Sequence, residues 1–226
     1  MFKDTESDQE LICIDAGLTS FDTIHDLQLE LFKELIGSYK SSVKNYLILC
    51  EHEPVYTLGK SGDIKNILNK EIQHKVKRID RGGDITFHGP GQLVGYPILN
   101  LSNFKLGLKS YVDLLEDSII RTLSMFEINA KKSPNEIGVW LDPNNDKARK
   151  ICALGIRSSR FITMHGFALN VNTDLTYYEQ INPCGLTDKE VSSMAKELGT
   201  EVDFEDVKAC FLTEFINALS RNFKEV

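Results

Sequence analysis

The sequence predicts an α+β fold, a mixed α/β sandwich in which a mixed β-sheet is flanked by helices. Amphipathic helical patterns bracket strand-like runs in the first half. In the second half three strand-like runs follow one another, "EIGVWL", "KICALGIR" and "ITMHGFALNVN", and consecutive strands favour antiparallel pairing. The order lacks the regular strand–helix alternation of a doubly wound fold. No repeat, low-complexity segment or linker cuts the chain, so one domain over residues 1–226 is expected.

The elements follow from local pattern. Residues 11–16, "LICIDA", read as a first strand. In "SFDTIHDLQLELFKELIGSYK", Ile24, Leu27, Leu31 and Leu35 recur at helical spacing, and Ser20 or Asp22 can cap the start. "YLILCEHEP" is an apolar run stopped by Pro54, as in a buried strand. "DITF" and "LVGYPILNL" are further strands. "FKLGLKSYVDLLEDSIIRTLSMF" carries Val112, Leu115, Ile119 and Leu123 on one helical face. The loop "DPNNDKAR" joins the first two of the three late strands. Two helices are expected at the end, near 188–198 and 203–222, the last with Val207, Phe211, Phe215 and Leu219 every four residues.

Composition excludes several classes. The N-terminus, "MFKDTESDQE", has no basic n-region and no apolar h-region, and no window is long and apolar enough to span a bilayer. A cytoplasmic protein with no membrane association is expected, and a monomer, since no coiled-coil or large apolar helix face stands out. The net charge of −7 disfavours a general nucleic-acid binder. Five cysteines, Cys13, Cys50, Cys152, Cys184 and Cys210, form no CxxC pair and read as reduced thiols, with Cys13, Cys50 and Cys210 in the core. Five histidines show no HxxxH or HExxH spacing, so no metal and no cofactor are expected. Two basic clusters, one between Lys65 and Arg81 and one comprising Lys147, Arg149, Lys150, Arg157 and Arg160, read either as solvated faces or as docking patches for an acidic partner. Composition by itself favours the solvated faces.

Three stretches can carry chemistry. "RGGDITFHGPGQ" holds four glycines, which let backbone approach a ligand closely. It matches neither GxGxxG nor GxxxxGK[ST], so it reads as a tight turn or as a substrate wall bracketed by Arg81 and His88. In "KICALGIRSSRFITMHGFALNVN", Gly155 and Gly166 thin neighbouring strands where a ligand or another backbone can pack. Lys150 and Cys152 share a face if that strand is regular. A lysine opening a strand is most often exposed and inert, and His165 defaults to a satisfied core histidine. Finally, "INPCGL" places Cys184 between a proline and a glycine. That context fits an ordinary turn as well as a thiol at a site mouth, since a free thiol near pKa ~8.5 needs help to ionise.

The segments "RGGDITFHGPGQLVGYPILNL", "GVW", "KICALGIR", "HGFALNVN" and "INPCGL", in this order and spacing, resemble the octanoyltransferases of lipoate synthesis, the LipB family. The resemblance runs from about residue 51 to 186. It implies a fold similar to the catalytic domains of biotin and lipoate protein ligases. It implies a reactive Cys184 in the NPCG motif and a partner Lys150, 34 residues upstream. It places acyl-substrate contacts on Arg81, Gly82, Gly83, Asp84, Ile85, Thr86, Phe87 and His88, on Ala153, Leu154 and Gly155, and on Gly166, Phe167 and Ala168. The implied reaction moves an octanoyl or lipoyl group from octanoyl-acyl carrier protein to a lysine of lipoyl domains, those of 2-oxo acid dehydrogenase complexes or the glycine-cleavage H protein. Because those partners are typically acidic, the docking reading of the basic clusters gains weight. Cys152 is expected to be a small apolar filler outside the catalytic pair. The rival readings are an ATP-dependent lipoate ligase of the same fold, a non-catalytic acyl-protein binding module, and a Cys–His thioesterase using His88 or His165.

Overall fold

A computed structural model of the protein describes residues 2–3, 9–38, 42–183 and 190–224. The first half holds strands β1 (Phe2–Lys3), β2 (Glu10–Thr19), β3 (Lys44–His52), β4 (Val55–Leu58), β5 (Val76–Arg78), β6 (Ile85–His88) and β7 (Gln92–Ile98), with helix α1 (Phe21–Gly37) after β2. Helix α2 (Leu108–Met125) leads to β8 (Lys131–Lys132), β9 (Val139–Leu141), β10 (Arg149–Ser159) and β11 (Ile162–Asn170). Strand β12 (Glu190–Val191) and helices α3 (Met194–Leu198) and α4 (Phe204–Lys224) complete the described chain.

Among the described residues, β1-β2-β3-β7-β11-β10-β9-β8 form a mixed sheet, with β12 added beside β10. The β2–β3 and β10–β12 pairs are parallel and the rest of this sheet is antiparallel. Strands β9, β10 and β11 pair antiparallel in sequence order, as their direct succession predicts. A second, small sheet, β5-β4-β6, sits apart from the first. Its strands β4 and β5 were not distinguished in the sequence. Pro54 ends one strand, but Val55–Leu58 then resumes in the other sheet.

Helices cover both faces of the large sheet. On one face α2 and α4 bury Leu115, Ile119, Leu123, Phe211 and Phe215 against Leu47, Leu93, Phe167 and Leu169. On the other, α1 buries Ile24, Leu31, Phe32 and Leu35 against Ile48, Tyr96 and Met164. Each such side chain contributes roughly 1.5–3 kcal/mol when fully buried. The third cluster, Tyr56, Leu58, Ile67, Ile85, Phe87 and Ile181, supports the small sheet.

Ser20 caps α1, its hydroxyl accepting from the Thr23 N–H at 3.2 Å. The region near 188–198 differs from expectation. Residues 188 and 189 lie outside the described residues, Glu190–Val191 is a strand, and the helix is only Met194–Leu198. Val191 is drawn into the ladder opposite Lys150, and Ser193 then starts the helix by accepting from the Lys196 N–H. Cys13 and Cys210 are half-buried, whereas Cys50 and Cys152 are buried, and all four are free thiols.

Candidate active site

Fourteen of the site residues implied by the family resemblance share the lining of one cavity of roughly 570 Å³, and His165 lines it too. The fourteen are Lys150, the Arg81–Ile85 run with Thr86 and His88, Ala153, Leu154, Gly155, Gly166, Phe167 and Ala168. The cavity lies within the range of small-ligand sites. Between Arg81 and His88, Phe87 is the residue that the lining leaves out. Alternation along β6 sends its ring to the small sheet's core, where it stacks on Tyr177 with centroids 4.4 Å apart. Cys184 lies outside the described residues.

The chain on either side of that cysteine is anchored. The Asn182 N–H donates to the Asn66 carbonyl at 2.7 Å, and the Asn66 amide donates to the Asp84 carboxylate. Asp84 therefore ties the glycine-rich loop toward Asn182, two residues before Cys184. Beyond the segment, Val191 pairs with Lys150, and the Ser192 N–H donates to the Lys150 carbonyl at 2.9 Å.

Lys150 is half-buried at the cavity, its Nζ 4.6 Å from the centroid of the Trp140 ring. That contact is a cation–π approach to the ring face. Gly138 sits under its stem with φ +127, and a Cβ there meets Lys150 Cε at 3.4 Å. The Gly138 N–H donates to buried Glu116 at 2.8 Å, and burial raises the pKa of that carboxyl. Strand β10 is not regular here. Its register shifts between Lys150 and Cys152, so Ile151 and Cys152 both enter the core while Lys150 reaches the cavity. Cys152 is fully buried and burial pushes its thiol up, which makes it the apolar filler expected.

Arg81 is buried and held by acceptors. Its Nη2 donates to the Thr57 carbonyl at 2.8 Å and the Thr57 hydroxyl at 3.0 Å, and its Nη1 to the Gly82 carbonyl. The network continues through His88. The Gln92 amide nitrogen donates to Asn170, so its oxygen faces His88 and accepts from Nδ1 at 2.8 Å. Thr57 then donates to His88 Nε2 at 3.3 Å. Burial lowers His88 to about 3. Tyr96 donates to His52 Nε2 at 2.7 Å, and burial lowers His52 to about 4. These imidazoles are neutral, with both nitrogens of each ring engaged, which removes His88 as a ready base.

Two expectations about packing are refined. The space over Gly155 is taken by protein: a Cβ there meets Arg81 Cδ at 2.8 Å, and one on Gly166 meets the Gly95 carbonyl. These glycines let neighbouring backbone and Arg81 close onto the sheet, so they shape the cavity by admitting protein. In the second basic cluster, Arg149 pairs with Glu197 and Asp142, and Arg157 with Asp80. In the first cluster, Lys77 pairs with Asp22.

The cavity also includes Phe21, Ile79, Val94, Tyr96, Leu108 and Val112, which the sequence did not mark as site residues, Val112 being read there only as part of a helix's apolar face. Such residues at helical or strand spacing have the same pattern as core positions. No helix among the described residues is long and apolar enough to cross a membrane.

The fold matches that of lipoate-protein ligase A bound with ATP, with TM-score 0.67 and 14% identity over 94% of this chain and 85% of that one. The biotin protein ligase from Aquifex aeolicus in complex with biotin and ATP aligns with TM-score 0.53 and 14% identity, covering 96% of this chain and 72% of that one. These likenesses show the fold, and the lipoyl protein ligase A/B catalytic domain family matches residues 25–216. An octanoyltransferase of Parabacteroides distasonis is 48% identical over 86% of this chain and 92% of its own length. One of Bacteroides fragilis is 48% identical over 92% and 97%. One of Porphyromonas gingivalis, of which this chain spans 41%, is 48% identical over 202 residues. The chain belongs to the lipoyl protein ligase A/B catalytic domain family and, within it, to the octanoyltransferases.

Proposed function

We propose that this octanoyltransferase takes an octanoyl group, or a lipoyl group, from acyl carrier protein and passes it to a lysine of a lipoyl domain through a thioester on Cys184. The Cys184 thiolate attacks the donor thioester carbonyl, the new carbon–sulfur bond forms, and the carrier leaves as its thiolate. One thioester replaces another, so no ATP is consumed. The acceptor amine then attacks the acyl-enzyme, loses a proton, and expels Cys184 as thiolate. Lys150 as an ammonium favours the thiolate. As a neutral amine it accepts the proton from the incoming lysine.

The observation that carries this reading is the placement of Lys150. It lines the cavity that gathers the glycine-rich loop, and Val191 of the strand seven residues beyond Cys184 pairs with it. The likeness to octanoyltransferases along most of both chains supports the acyl donor and the lipoyl acceptors, including dehydrogenase subunits and the glycine-cleavage H protein. Residues 1–226 act as one catalytic domain, a cytoplasmic monomer in this reading.

Transfer in a purified system tests it. Octanoyl-acyl carrier protein and apo lipoyl domain, without ATP, are expected to give octanoyl-lysine. A strict need for ATP with free octanoate points instead to ligase chemistry, and release of free octanoate to a thioesterase.

A further inference from the structure

We infer that His25, Asp80 and His165 form a binding site for a first-row divalent metal ion of zinc type, set against the wall of the cavity. The three residues come from helix α1, the loop after β5, and strand β11, so no local spacing in the sequence announces them. Their nearest ligand atoms all lie within 4.8 Å of one another. His165 Nε2 stands 3.2 Å from Asp80 Oδ1.

Two further observations point to a missing polar partner. His25 Nε2 is buried and has no hydrogen-bond partner among the described residues. Leaving such a group buried and unpaired is costly. Gln28, one turn along α1, is fully buried. Its Oε1 accepts from the His165 N–H at 3.1 Å, but its Nε2 has no partner among the described residues. Gln28 Nε2 can donate to a water held by the ion. His165 itself has φ +61, a backbone state that costs energy for a residue with a side chain.

The donor set selects the ion. Two imidazole nitrogens and one carboxylate oxygen suit zinc, cobalt or nickel, whereas magnesium and calcium prefer oxygen alone. Donors about 2.1 Å from a tetrahedral ion stand roughly 3.4 Å apart, so the groups must close by side-chain rotation. Arg157 engages the other oxygen of Asp80, leaving Oδ1 toward the imidazoles and acting as the outer partner that orients a ligating carboxylate. On binding, the His165 proton moves from Nε2 to Nδ1, so the imidazole stays neutral and Nε2 takes the metal. Asp80 directly precedes Arg81, so an occupied site ties α1 and β11 to the start of the glycine-rich loop.

Chelator-treated, thiol-reduced full chain is titrated with Co²⁺ alone. The expected result is one Co²⁺ per chain, with visible d–d absorption of nitrogen and oxygen coordination and a raised Tm. His25→Ala and Asp80→Asn are each expected to weaken binding by at least about tenfold. His25→Gln serves as a second variant if His25→Ala does not fold. Absence of saturable binding overturns the site. So does binding undiminished in the variants, or a thiolate-to-cobalt charge-transfer band, which assigns the ion to cysteine.

Discussion

The cavity has two ends built on different principles. At one end, Lys150 is half-buried, rests on the Trp140 ring and pairs with Val191, seven residues after Cys184 in the chain. At the other, Arg81, Thr57, His88, Gln92 and Asn170 form a buried chain of hydrogen bonds. The first end keeps a titratable group accessible to a reactant. The second spends its polar groups on one another and fixes shape. A reactive group and a structural group of similar chemistry are thus separated by what their lone pairs and protons already hold.

The largest expected effect breaks the first end. Lys150→Ala is expected to cut transfer by about 10²–10⁴-fold while the Tm stays within a few degrees, measured by octanoyl-lysine formation and thermal unfolding. Loss of folding together with activity contradicts the assignment of Lys150 to chemistry. The opposite pattern is expected at the second end. Gln92→Leu strands the buried His88 Nδ1–H, costing on the order of 1–3 kcal/mol, while the Asn170 oxygen loses one donor and keeps the Tyr178 hydroxyl at 3.4 Å. That lowers Tm by roughly 2–4 °C per kcal/mol in a chain of this size.

Acid sharpens the same contrast. The folded pKa values of His52 and His88, about 4 and about 3, lie below the unfolded value of 6.5. Their stabilisation is therefore present above pH 6.5 and is lost as pH falls toward the folded values, where the unfolded state binds protons that the folded state refuses. From pH 7 to 5 the loss is about 2 kcal/mol per ring, read from urea midpoints at each pH. Gly155→Ala drives a methyl into Arg81 Cδ and is expected to cost about 1–3 kcal/mol. Smallest of all, Cys152→Ala leaves transfer within about twofold of wild type and costs about 1 kcal/mol of stability, as suits a buried filler.

Periodicity made much of the frame legible. The helices α1, α2 and α4 and the antiparallel β9-β10-β11 run follow apolar spacing, and Ser20 caps α1 as its chemistry suggests. The small sheet was hidden because β5 is Val76–Arg78, three residues dominated by bases, which pairs through backbone rather than through an apolar face. Simple alternation also failed at Lys150 and Cys152, where a shift in register sends the two side chains to different places. Glycine content located the wall but not its occupant. Gly155 admits Arg81, and Gly166 admits the Gly95 backbone. Val112 was read only as a core position, and Phe21 and Leu108 were not read at all, because a cavity-lining apolar residue on a helix has the spacing of a core residue. The meeting of His25, Asp80 and His165 depends on three segments converging in the fold, which no local spacing encodes.

Intact-protein mass spectrometry after mixing with octanoyl-acyl carrier protein tests the pairing of Lys150 with Cys184 most directly. The wild type is expected to gain one octanoyl group, to lose it when apo lipoyl domain is added, and to gain it far more slowly as Lys150→Ala. An adduct that persists in Cys184→Ala, or equal acylation rates with and without Lys150, contradicts the account.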